Sequence, residues 1–369
     1  MSLTETETTE LRLSSGNGPV TRTILATPIR EARPEEVPII NISDIFSPSQ
    51  AARKAVALEI RAAATNNGFF YISDHGVPSA VTSPAYEASL SFFCQQPAQK
   101  EPANVSHSIY KFGWKPPATQ RVNPFEGIDR RESFSWRYDP RYDPSVPNVS
   151  AIPPHISRFI QHDSDNFPWS AATPHLKQTV IPLFQSVLGL GRALLRSFAL
   201  SLDLDENALD DKFTHPDVGM ALNYYPPLPP ADGKSVKDVS IGSHTDFQLF
   251  TILIQDSVGG LQVLSRSGQW LYAKPIPGTF VVNFGDYMQR ITNDRYPSTV
   301  HRVQNFSGQE RLSMAFFFGF NLNESCAVLD SCVGEGEAKK YEPVACHEWT
   351  ARRVKAMHDT SGKEARSSS

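Results

Sequence analysis

The chain has 369 residues, of which 40% are hydrophobic and 20% charged, a composition typical of globular proteins. Its formal net charge of −4 argues against nucleic-acid binding, and it has no apolar run long enough to span a membrane. The N-terminus lacks the apolar segment of a secretory signal, and the C-terminus carries no peroxisomal or prenylation signal. We therefore expect a cytoplasmic protein. The four cysteines are scattered without a CxxC pair, which predicts structural or incidental thiols.

The first segments along the chain predict an arm followed by two strands. Residues 1–35 are rich in Thr, Ser and Glu, which is typical of a mobile N-terminal arm. "VPIINISDI" (37–45) alternates well enough for a strand. "FFYISDHG" (69–76) is apolar up to its turn residues, which predicts a buried strand leaving into a turn.

A helix is predicted between these two strands, in "SPSQAARKAVALEIRAAATNNG". Ser47 is a candidate N-cap with Pro48 at the first helical position, and Gln50 completes a capping box. Asn67 and Gly68 provide the stop signal. The sequence thus places a helix between the first two strands.

A longer helix begins at Thr173-Pro174, and from about residue 218 the pattern changes to short strands separated by Gly, Pro and Asp. Apolar residues recur along the helix at three- and four-residue steps: Leu176, Val180, Leu183, Val187, Leu190, Leu194 and Phe198. The strand segments are "GMALNYY", "FTILIQ", "LQVL", "TFVVNFG", "STVHRVQ" and "RLSMAFFFGF". Helices first and antiparallel-type strands later predict an α+β fold with a double-sheet barrel.

"GSHTDFQLFTILIQ" places a histidine and an aspartate at the head of a predicted buried strand. The strand period of two puts His244 and Asp246 on one face, and His301 on a later strand offers a third ligand. Two histidines and one carboxylate form the metal site of non-haem Fe(II) oxygenases. A buried His–Asp hydrogen bond is the alternative that the HxD pattern alone leaves open.

"RLSMAFFFGF" places Arg311 and Ser313 two residues apart in an otherwise apolar strand. A buried guanidinium needs an anion, and its fork matches a carboxylate. Ser313 can donate a further hydrogen bond to the same carboxylate. The alternative is an internal salt bridge to a protein Asp or Glu. With the metal ligands, this pair predicts a metal and a carboxylate holder inside one barrel.

In these motifs the chain resembles the Fe(II)/2-oxoglutarate-dependent dioxygenases of the isopenicillin N synthase-like group. The resemblance covers residues 37–345 and is carried by "GFFYISDHGV", "LNYYPP", "SHTDFQLFTIL", "GGLQVL", "VVNFGDYMQRITNDRYPSTVHRV" and "RLSMAFFF". It implies a double-stranded β-helix (jelly-roll, cupin-like) core with flanking α-helices. It also implies one dioxygenase domain at 36–345, with a helical part (36–215) and a jelly-roll core with the metal site (216–325). A C-terminal helix and tail (346–369) would follow.

The resemblance also assigns roles to residues. His244, Asp246 and His301 would be the iron ligands and the catalytic centre. Arg311 and Ser313 would hold the distal carboxylate of 2-oxoglutarate. Tyr225 matches a position that contacts this cosubstrate, and Asn223 matches one that lines the site near the iron, although both also suit ordinary strand positions.

The implied cofactors are Fe(II), 2-oxoglutarate and O₂, with ascorbate as an optional reductant. The implied reaction is oxidative decarboxylation to succinate and CO₂, coupled to hydroxylation, desaturation or ring rearrangement of a small molecule. Three alternatives stay open: an RxS-containing oxidase that uses no 2-oxoglutarate, a zinc hydrolase, and a silent binding protein. We expect a monomer or weak homodimer without nucleic-acid or membrane partners.

The substrate is predicted to be a small, ring-containing natural product, with a nucleobase or amino-acid-derived compound as the alternative. Phe317 shares the Arg311 face and matches a position that stacks on the substrate ring in related flavonoid oxygenases. Gly319 and Ala221 stand where those relatives carry a carboxylate and a lysine, so we expect extra room and a largely uncharged substrate. Further candidate wall residues are Tyr110, Phe112, Trp114, Phe134 and Phe247.

Overall fold

The computed structural model describes residues 7–16, 20–160, 167–169, 174–227, 239–305 and 307–358. Within these ranges no helix combines the length and the apolar character that a membrane crossing requires. The helices are α1 Gln50–Asn66, α2 Ser79–Phe93, α3 Pro97–Lys100, α4 Pro154–Ser157, α5 Pro174–Ser201, α6 Asp286–Ile291 and α7 Cys346–His358.

Short strands make up most of the remaining regular structure. They are β1 Thr8–Leu13, β2 Val20–Leu25, β3 Arg30–Glu31, β4 Ile39–Asn41, β5 Phe69–Ser73, β6 Gly113–Lys115, β7 Glu132–Arg137, β8 Val218–Tyr225, β9 Ile241–His244, β10 Phe250–Gln255, β11 Leu261–Leu264, β12 Trp270–Tyr272, β13 Phe280–Phe284, β14 His301–Val303, β15 Arg311–Phe318, β16 Ser325–Cys326 and β17 Val344–Ala345.

Two sheets form the core of the fold. The major sheet has eight strands in the order β4-β5-β13-β10-β15-β8-β7-β6, and the minor sheet has five in the order β3-β12-β11-β14-β9. Buried apolar residues of both sheets, including Tyr71 and Val281 from the major and Val263 from the minor, pack into one cluster between them. This is the predicted double-stranded β-helix with flanking helices.

The major sheet separates two environments because side chains alternate along its strands. On β15, Leu312, Met314, Phe316 and Phe318 belong to the large core that includes the helices, whereas Arg311 lies on the opposite face. We call that opposite face, which is turned toward the minor sheet, the inner face. One strand thus contributes to the helical core and to the interior between the sheets.

Helix α5 is the main support of the helical core. It begins at Pro174, as predicted, and continues through Pro182. Every residue of its predicted apolar face that runs from Leu176 to Phe198 is buried. The three- and four-residue spacing of apolar residues therefore correctly predicted this helix and its buried face.

Two local predictions need correction. The N-cap of α1 is Ser49, whose hydroxyl accepts a hydrogen bond from the Ala52 amide, and not Ser47. The predicted strand 37–45 is shorter than expected, since β4 gives way to a 3-10 turn at Ser43–Phe46. Both errors lie at element ends, where neighbouring serines and prolines offer several alternative caps.

The N-terminal segment contains a hairpin that the composition did not predict. Strands β1 and β2 pair from Thr8 with Leu25 to Leu13 with Val20. Leu11 and Leu13 are buried against the minor-sheet residues Leu264 and Trp270 and against Val300. The mobility of the arm and the proposed domain boundaries stay predictions.

Asp143 connects the end of β7 to α5. Its carboxylate, fully buried, accepts hydrogen bonds from Tyr138 Oη at 2.8 Å and from Arg192 Nη2 at 2.6 Å. Burial by itself would raise the pKa of the Asp143 carboxyl, but the hydrogen bonds and charge of Arg192 lower it to about 2. The ionised form therefore stabilises the folded chain.

Replacing Asp143 with Asn is expected to lower the free energy of unfolding at neutral pH by about 2–4 kcal/mol. Because the folded pKa lies below the usual 3.8, the wild-type contribution is complete above pH about 4 and is lost as the pH falls toward 2. Denaturant melts of both proteins across this range test it, with exposed Asp44→Asn as the control. A difference that does not shrink in acid would contradict the assignment.

Candidate active site

Three potential metal ligands converge between the sheets. His244 is the last residue of β9, and His301 is the first residue of β14 and pairs directly with it. Asp246 follows in the turn between β9 and β10, so it does not share a strand with His244 as the two-residue period had suggested. The HxD pair therefore comes from the end of β9 and the turn that follows it. It does not stand at the head of a buried strand, as the sequence predicted.

The ligand atoms lie close enough together to hold one ion. Asp246 Oδ1 is 3.9 Å from His244 Nε2 and 3.8 Å from His301 Nε2, and all three donor atoms lie within 4.8 Å of one another. The other ring nitrogen of each histidine donates to a backbone carbonyl, His244 Nδ1 to Gly242 at 2.8 Å and His301 Nδ1 to Thr299 at 3.2 Å. This leaves both Nε2 lone pairs free for a metal.

The protonation states suit metal binding. Burial and the neighbouring His301 ring lower the pKa of His244 to about 3, so its imidazole is neutral at physiological pH. Burial opposes ionisation of Asp246, but the two histidines and the hydrogen bonds from Asn283 and Thr251 hold the pKa of its carboxyl below the usual range. A neutral imidazole and an ionised carboxylate are forms that coordinate a divalent ion.

The metal ligands are oriented by further side chains that the sequence analysis did not identify. Asp246 Oδ2 accepts hydrogen bonds from Thr251 Oγ1 at 2.6 Å and Asn283 Nδ2 at 2.7 Å, which leaves Oδ1 toward the histidines. Glu126 Oε2 accepts from the Ser243 amide at 2.5 Å, and Asp129 Oδ1 accepts from the Gly242 amide at 3.2 Å. These two carboxylates fix β9 just before His244.

The C-terminal helix also supports the ligand turn. Arg353 of α7 is buried, pairs with Asp286 at 2.9 Å, and lies 4.3 Å from the centre of the Phe247 ring. Trp349 Nε1 donates to the Phe247 carbonyl at 2.8 Å. Phe247 therefore packs under α7, directly after the metal ligand Asp246.

Arg311 is buried on the inner face, where its guanidinium meets no carboxylate in the described parts of the chain. Nη1 lies 3.1 Å from Ser313 Oγ and Nη2 lies 3.3 Å from Gln255 Oε1, while Nε is buried without an acceptor. The ring centre of Tyr225 is 4.7 Å away. An internal salt bridge does not explain this arginine, and its free donors fit the carboxylate of a bound cosubstrate.

Asn223 lies on the inner face of β8, opposite Ser313. Its Oδ1 accepts a hydrogen bond from Nη1 of Arg131, a residue that the sequence reasoning did not consider. The positive charge of Arg131 also contributes to the low pKa of His244. Arg131 therefore belongs to the surroundings of the metal site.

Two of the predicted wall residues face away from this site. Trp114 pairs with Phe134, Phe134 pairs with Leu222, and all three belong to the helical core. The indole Nε1 of Trp114 donates to Glu132 Oε2 at 2.6 Å. The prediction that Trp114 and Phe134 line the substrate pocket is thus wrong, because the pairing register directs them to the opposite side of the major sheet.

The remaining aromatic candidates have different surroundings. Phe317 is half-buried on the inner face, opposite Gly219, as the two-residue period predicted. Tyr110 is 37% exposed and stacks on the buried Phe112 ring with 5.8 Å between centroids. Phe247 is half-buried beneath Arg353. These four stay candidates for the substrate wall.

Position 319 does not provide the extra room that its glycine suggested. A Cβ atom there would lie 3.0 Å from Gln248 Nε2 and 3.2 Å from the Asp217 carbonyl oxygen. Gln248 Nε2 donates to that carbonyl at 2.8 Å, and the Asp217 carboxylate pairs with Arg137 at 2.5 Å. A polar network therefore fills the space beside Gly319, where the sequence had suggested extra room in place of the relatives' carboxylate.

The sequence matches two protein families. Residues 216–320 match the 2OG-Fe(II) oxygenase superfamily, and residues 37–155 match the family described as "non-haem dioxygenase in morphine synthesis N-terminal". The 2-oxoglutarate-Fe(II) type oxidoreductase ppzC of Metarhizium rileyi is 55% identical over 362 residues, which is 97% of each chain. The 2-oxoglutarate-dependent dioxygenase citB of Monascus ruber is 31% identical over 304 residues, 80% of this chain and 88% of citB.

A solved structure has the same architecture. The full-length Neurospora crassa protein in complex with alpha-KG, that is 2-oxoglutarate, has a TM-score of 0.75 and 25% identity, covering 90% of this chain and 100% of that one. A second structure of that protein, with alpha-KG and thymine, has a TM-score of 0.71 at 25% identity, covering 87% and 97%. The similarity thus extends over both the helical part and the sheets.

Replacing Asp246 with Ala is expected to abolish stoichiometric Fe(II) binding, because it removes the only charged ligand of the triad. The fold should survive, since the sheets do not depend on that side chain. Anaerobic iron titration and a thermal melt measure the two effects, with exposed Asp44→Ala as the matched control. A variant with wild-type activity and stoichiometric iron would refute the triad.

Proposed function

Because this chain belongs to the 2OG-Fe(II) oxygenase superfamily, we propose that it oxidises a small, ring-containing natural product, with 2-oxoglutarate as cosubstrate and succinate and CO₂ as co-products. The chain is a 2-oxoglutarate–Fe(II) oxidoreductase whose iron ligands are His244, Asp246 and His301. The observation that carries the proposal is a buried arginine that meets no carboxylate among the described residues. It lies on the inner face of the major sheet, which is turned toward the minor-sheet strands that carry the two histidines.

Arg311 and Ser313 are proposed to hold the distal carboxylate of 2-oxoglutarate. Arg311 is 1% exposed, so an anion bound to its guanidinium would be shielded from water and held strongly. Gln255 and the Tyr225 ring fix the orientation of the guanidinium. Tyr225 would contact the cosubstrate from this position, and Asn223 would line the site near the iron.

When bound, Fe(II) supplies the activation of O₂ that couples decarboxylation of 2-oxoglutarate to oxidation of the substrate. The chain's own residues position the reactants. Thr251 and Asn283 hold Asp246 Oδ1 toward the histidines, and Gly242 and Thr299 accept from the Nδ1 atoms so that each Nε2 faces inward. Between the sheets, apolar side chains exclude water from the reacting groups.

The substrate is proposed to be flat and ring-containing because the inner face offers aromatic surface beside the triad. Phe317 is half-buried there, and Tyr110, Phe112 and Phe247 could complete a wall for stacking. The Neurospora crassa relative was solved with thymine, a small planar ring, which also supports a nucleobase as the second candidate. Fungal relatives at 55% and 31% identity favour secondary metabolism.

Several finer expectations stay predictions of this proposal. They are the choice between hydroxylation, desaturation and ring rearrangement, the use of ascorbate, a cytoplasmic location, and a monomeric or weakly dimeric state. Mass spectrometry of metabolite mixtures incubated with the protein, Fe(II), 2-oxoglutarate and air would identify the substrate. Succinate counted per product formed tests the proposed stoichiometry, since an oxidase that uses no 2-oxoglutarate would form none.

Replacing Arg311 with Leu is expected to remove about 3–5 kcal/mol of 2-oxoglutarate binding, because the distal carboxylate would lose its ion pair in a buried site. The KM for 2-oxoglutarate should rise at least about a hundredfold. Steady-state kinetics measure this, with Arg311→Lys expected to restore part of the affinity and exposed Arg352→Leu as the control. An equal loss of affinity for both substrates, or no loss, would contradict the role.

Replacing Phe317 with Ala is expected to weaken binding of the identified substrate by about 1–3 kcal/mol through lost burial and stacking. Conversion of 2-oxoglutarate to succinate without substrate should persist or increase, because the iron ligands are unchanged. Substrate titration and succinate release together test it, with exposed Phe46→Ala as the control. Normal substrate affinity in Phe317→Ala would rule out the stacking role.

A further inference from the structure

The inner face continues beyond Ser313 as a row of polar side chains. Ser313 pairs with Asn223 on β8, Asn223 pairs with Ser133 on β7, and Ser133 pairs with Lys115 on β6. Directly paired residues of antiparallel strands project to the same face. Lys115 thus lies on the inner face, three strand spacings or about 14 Å from Ser313.

The two arginines near Lys115 each have a carboxylate close by. Arg131 lies 3.7 Å from the fully buried Asp129 and donates to Asn223. Arg137, the last residue of β7, pairs with Asp217 at 2.5 Å. The carboxylates of Asp129 and Asp217 are thus each engaged by an arginine.

Lys115 is different, because its ammonium has no hydrogen-bond acceptor or carboxylate among the residues that the structure describes. The side chain is half-buried. Burial and the charges of Arg131 and Arg137 lower the pKa of Lys115 to about 8, so most of the population stays protonated at neutral pH. The buried Nε2 of Gln120, whose Oε1 accepts from Ser133, also has no acceptor.

Lys100, a lysine with a structural role beside the same sheet, offers a comparison with Lys115. On the opposite, helical face, Lys100 Nζ lies 2.7 Å from Glu132 Oε2 and 2.8 Å from the Phe93 carbonyl oxygen. That ammonium is buried and fully paired. Lys115 has no comparable partner in the part of the chain that the structure describes, so core stability does not account for a cation at this position.

We propose that Lys115 is a substrate-recognition residue whose ammonium, together with the Gln120 amide, holds an acceptor oxygen of the primary substrate. That oxygen belongs to a carboxylate or an amide carbonyl at the edge of a ring-containing molecule. The iron triad and Arg311 face the reacting end, while Lys115 fixes the far end. The substrate is then held by a directional polar contact as well as by stacking.

This assignment rests on the proposed function and changes one expectation from the sequence. Ala221 and Gly319 suggested a site without polar groups for the substrate, and hence a largely uncharged ligand. The strand register instead brings to the same face an ammonium that has no partner among the described residues. It comes from β6, a strand that contributed only Trp114 to the sequence argument.

The test uses the holoprotein with Fe(II) and saturating 2-oxoglutarate under anaerobic conditions. Calorimetric titration with 2-naphthoate, 2-naphthamide and 2-methylnaphthalene compares a carboxylate, a carbonyl and no acceptor on one planar ring. Wild-type protein is expected to bind at least one oxygen-bearing probe about tenfold to a hundredfold more tightly than 2-methylnaphthalene. Preference for naphthoate alone indicates a carboxylate, and equal preference for naphthamide indicates a carbonyl.

Lys115→Met should abolish this preference, and Lys115→Arg should keep most of it. Binding of 2-methylnaphthalene and 2-oxoglutarate should be unchanged in both, as in the exposed control Lys54→Met. The melting temperature of Lys115→Met should not fall, because the ammonium is repelled by its neighbours. No preference in the wild type, a preference that survives in Lys115→Met, or a large loss of stability would overturn the proposal.

Lys115→Gln provides a second neutral variant with a smaller donor and should also lose the preference for naphthoate. Succinate release without a primary substrate is measured in the same samples. If 2-oxoglutarate neither binds nor turns over, the proposed function fails. If it does both while the probe preference is absent, only the role of Lys115 fails.

Discussion

The active site depends on three electron-pair donors that meet at one buried point. Asp246 Oδ1 lies within 4 Å of both histidine Nε2 atoms, and the outer atoms of all three side chains are already hydrogen-bonded. Without a cation, the convergence of these donors would be costly to bury. A divalent ion turns it into a coordinated site, and the surrounding hydrogen bonds keep the donors aimed at that ion.

The alternation of β15 explains how one strand can serve the core and the site. Leu312, Met314 and Phe316 bury apolar surface against the helices, while the residues between them face the interior between the sheets. A substitution on one face is therefore expected to act on stability, and one on the other to act on ligand binding. Helix α5 supports the major sheet from its helical face, which is opposite the inner face where the ligand-binding residues lie.

The ligand Asp246 lies in a turn, so its position depends on contacts beyond the strand ladders. Thr251 and Asn283 hold its carboxylate from the major sheet. Trp349 and Arg353 of α7 hold the following residue, Phe247, and Arg353 also donates to the Ser14 carbonyl at 3.1 Å. The two ends of the chain thus meet beside the metal site, a link between segments that lie more than three hundred positions apart.

The sequence by itself determined the elements and the chemical identity of the iron site. Spacing identified α5 and the strands of the barrel, and residue types at His244, Asp246 and His301, together with the family resemblance, identified the ligands. The helical face and the strand period are local signals, because each is contained in neighbouring residues. The Arg311 and Ser313 pair shared a face for the same reason.

Only the tertiary structure decided which strands are neighbours and which sheet face meets the helices. The period of two relates Trp114 to its own strand, but the register with β7 and β8 sends it to the helical core and Lys115 to the inner face. Likewise, the space at Gly319 is filled by Gln248, which lies far away in sequence. The charge that Lys115 brings to the inner face and the filled space at Gly319 both result from contacts between segments that are distant in sequence. A local sequence pattern therefore cannot predict them.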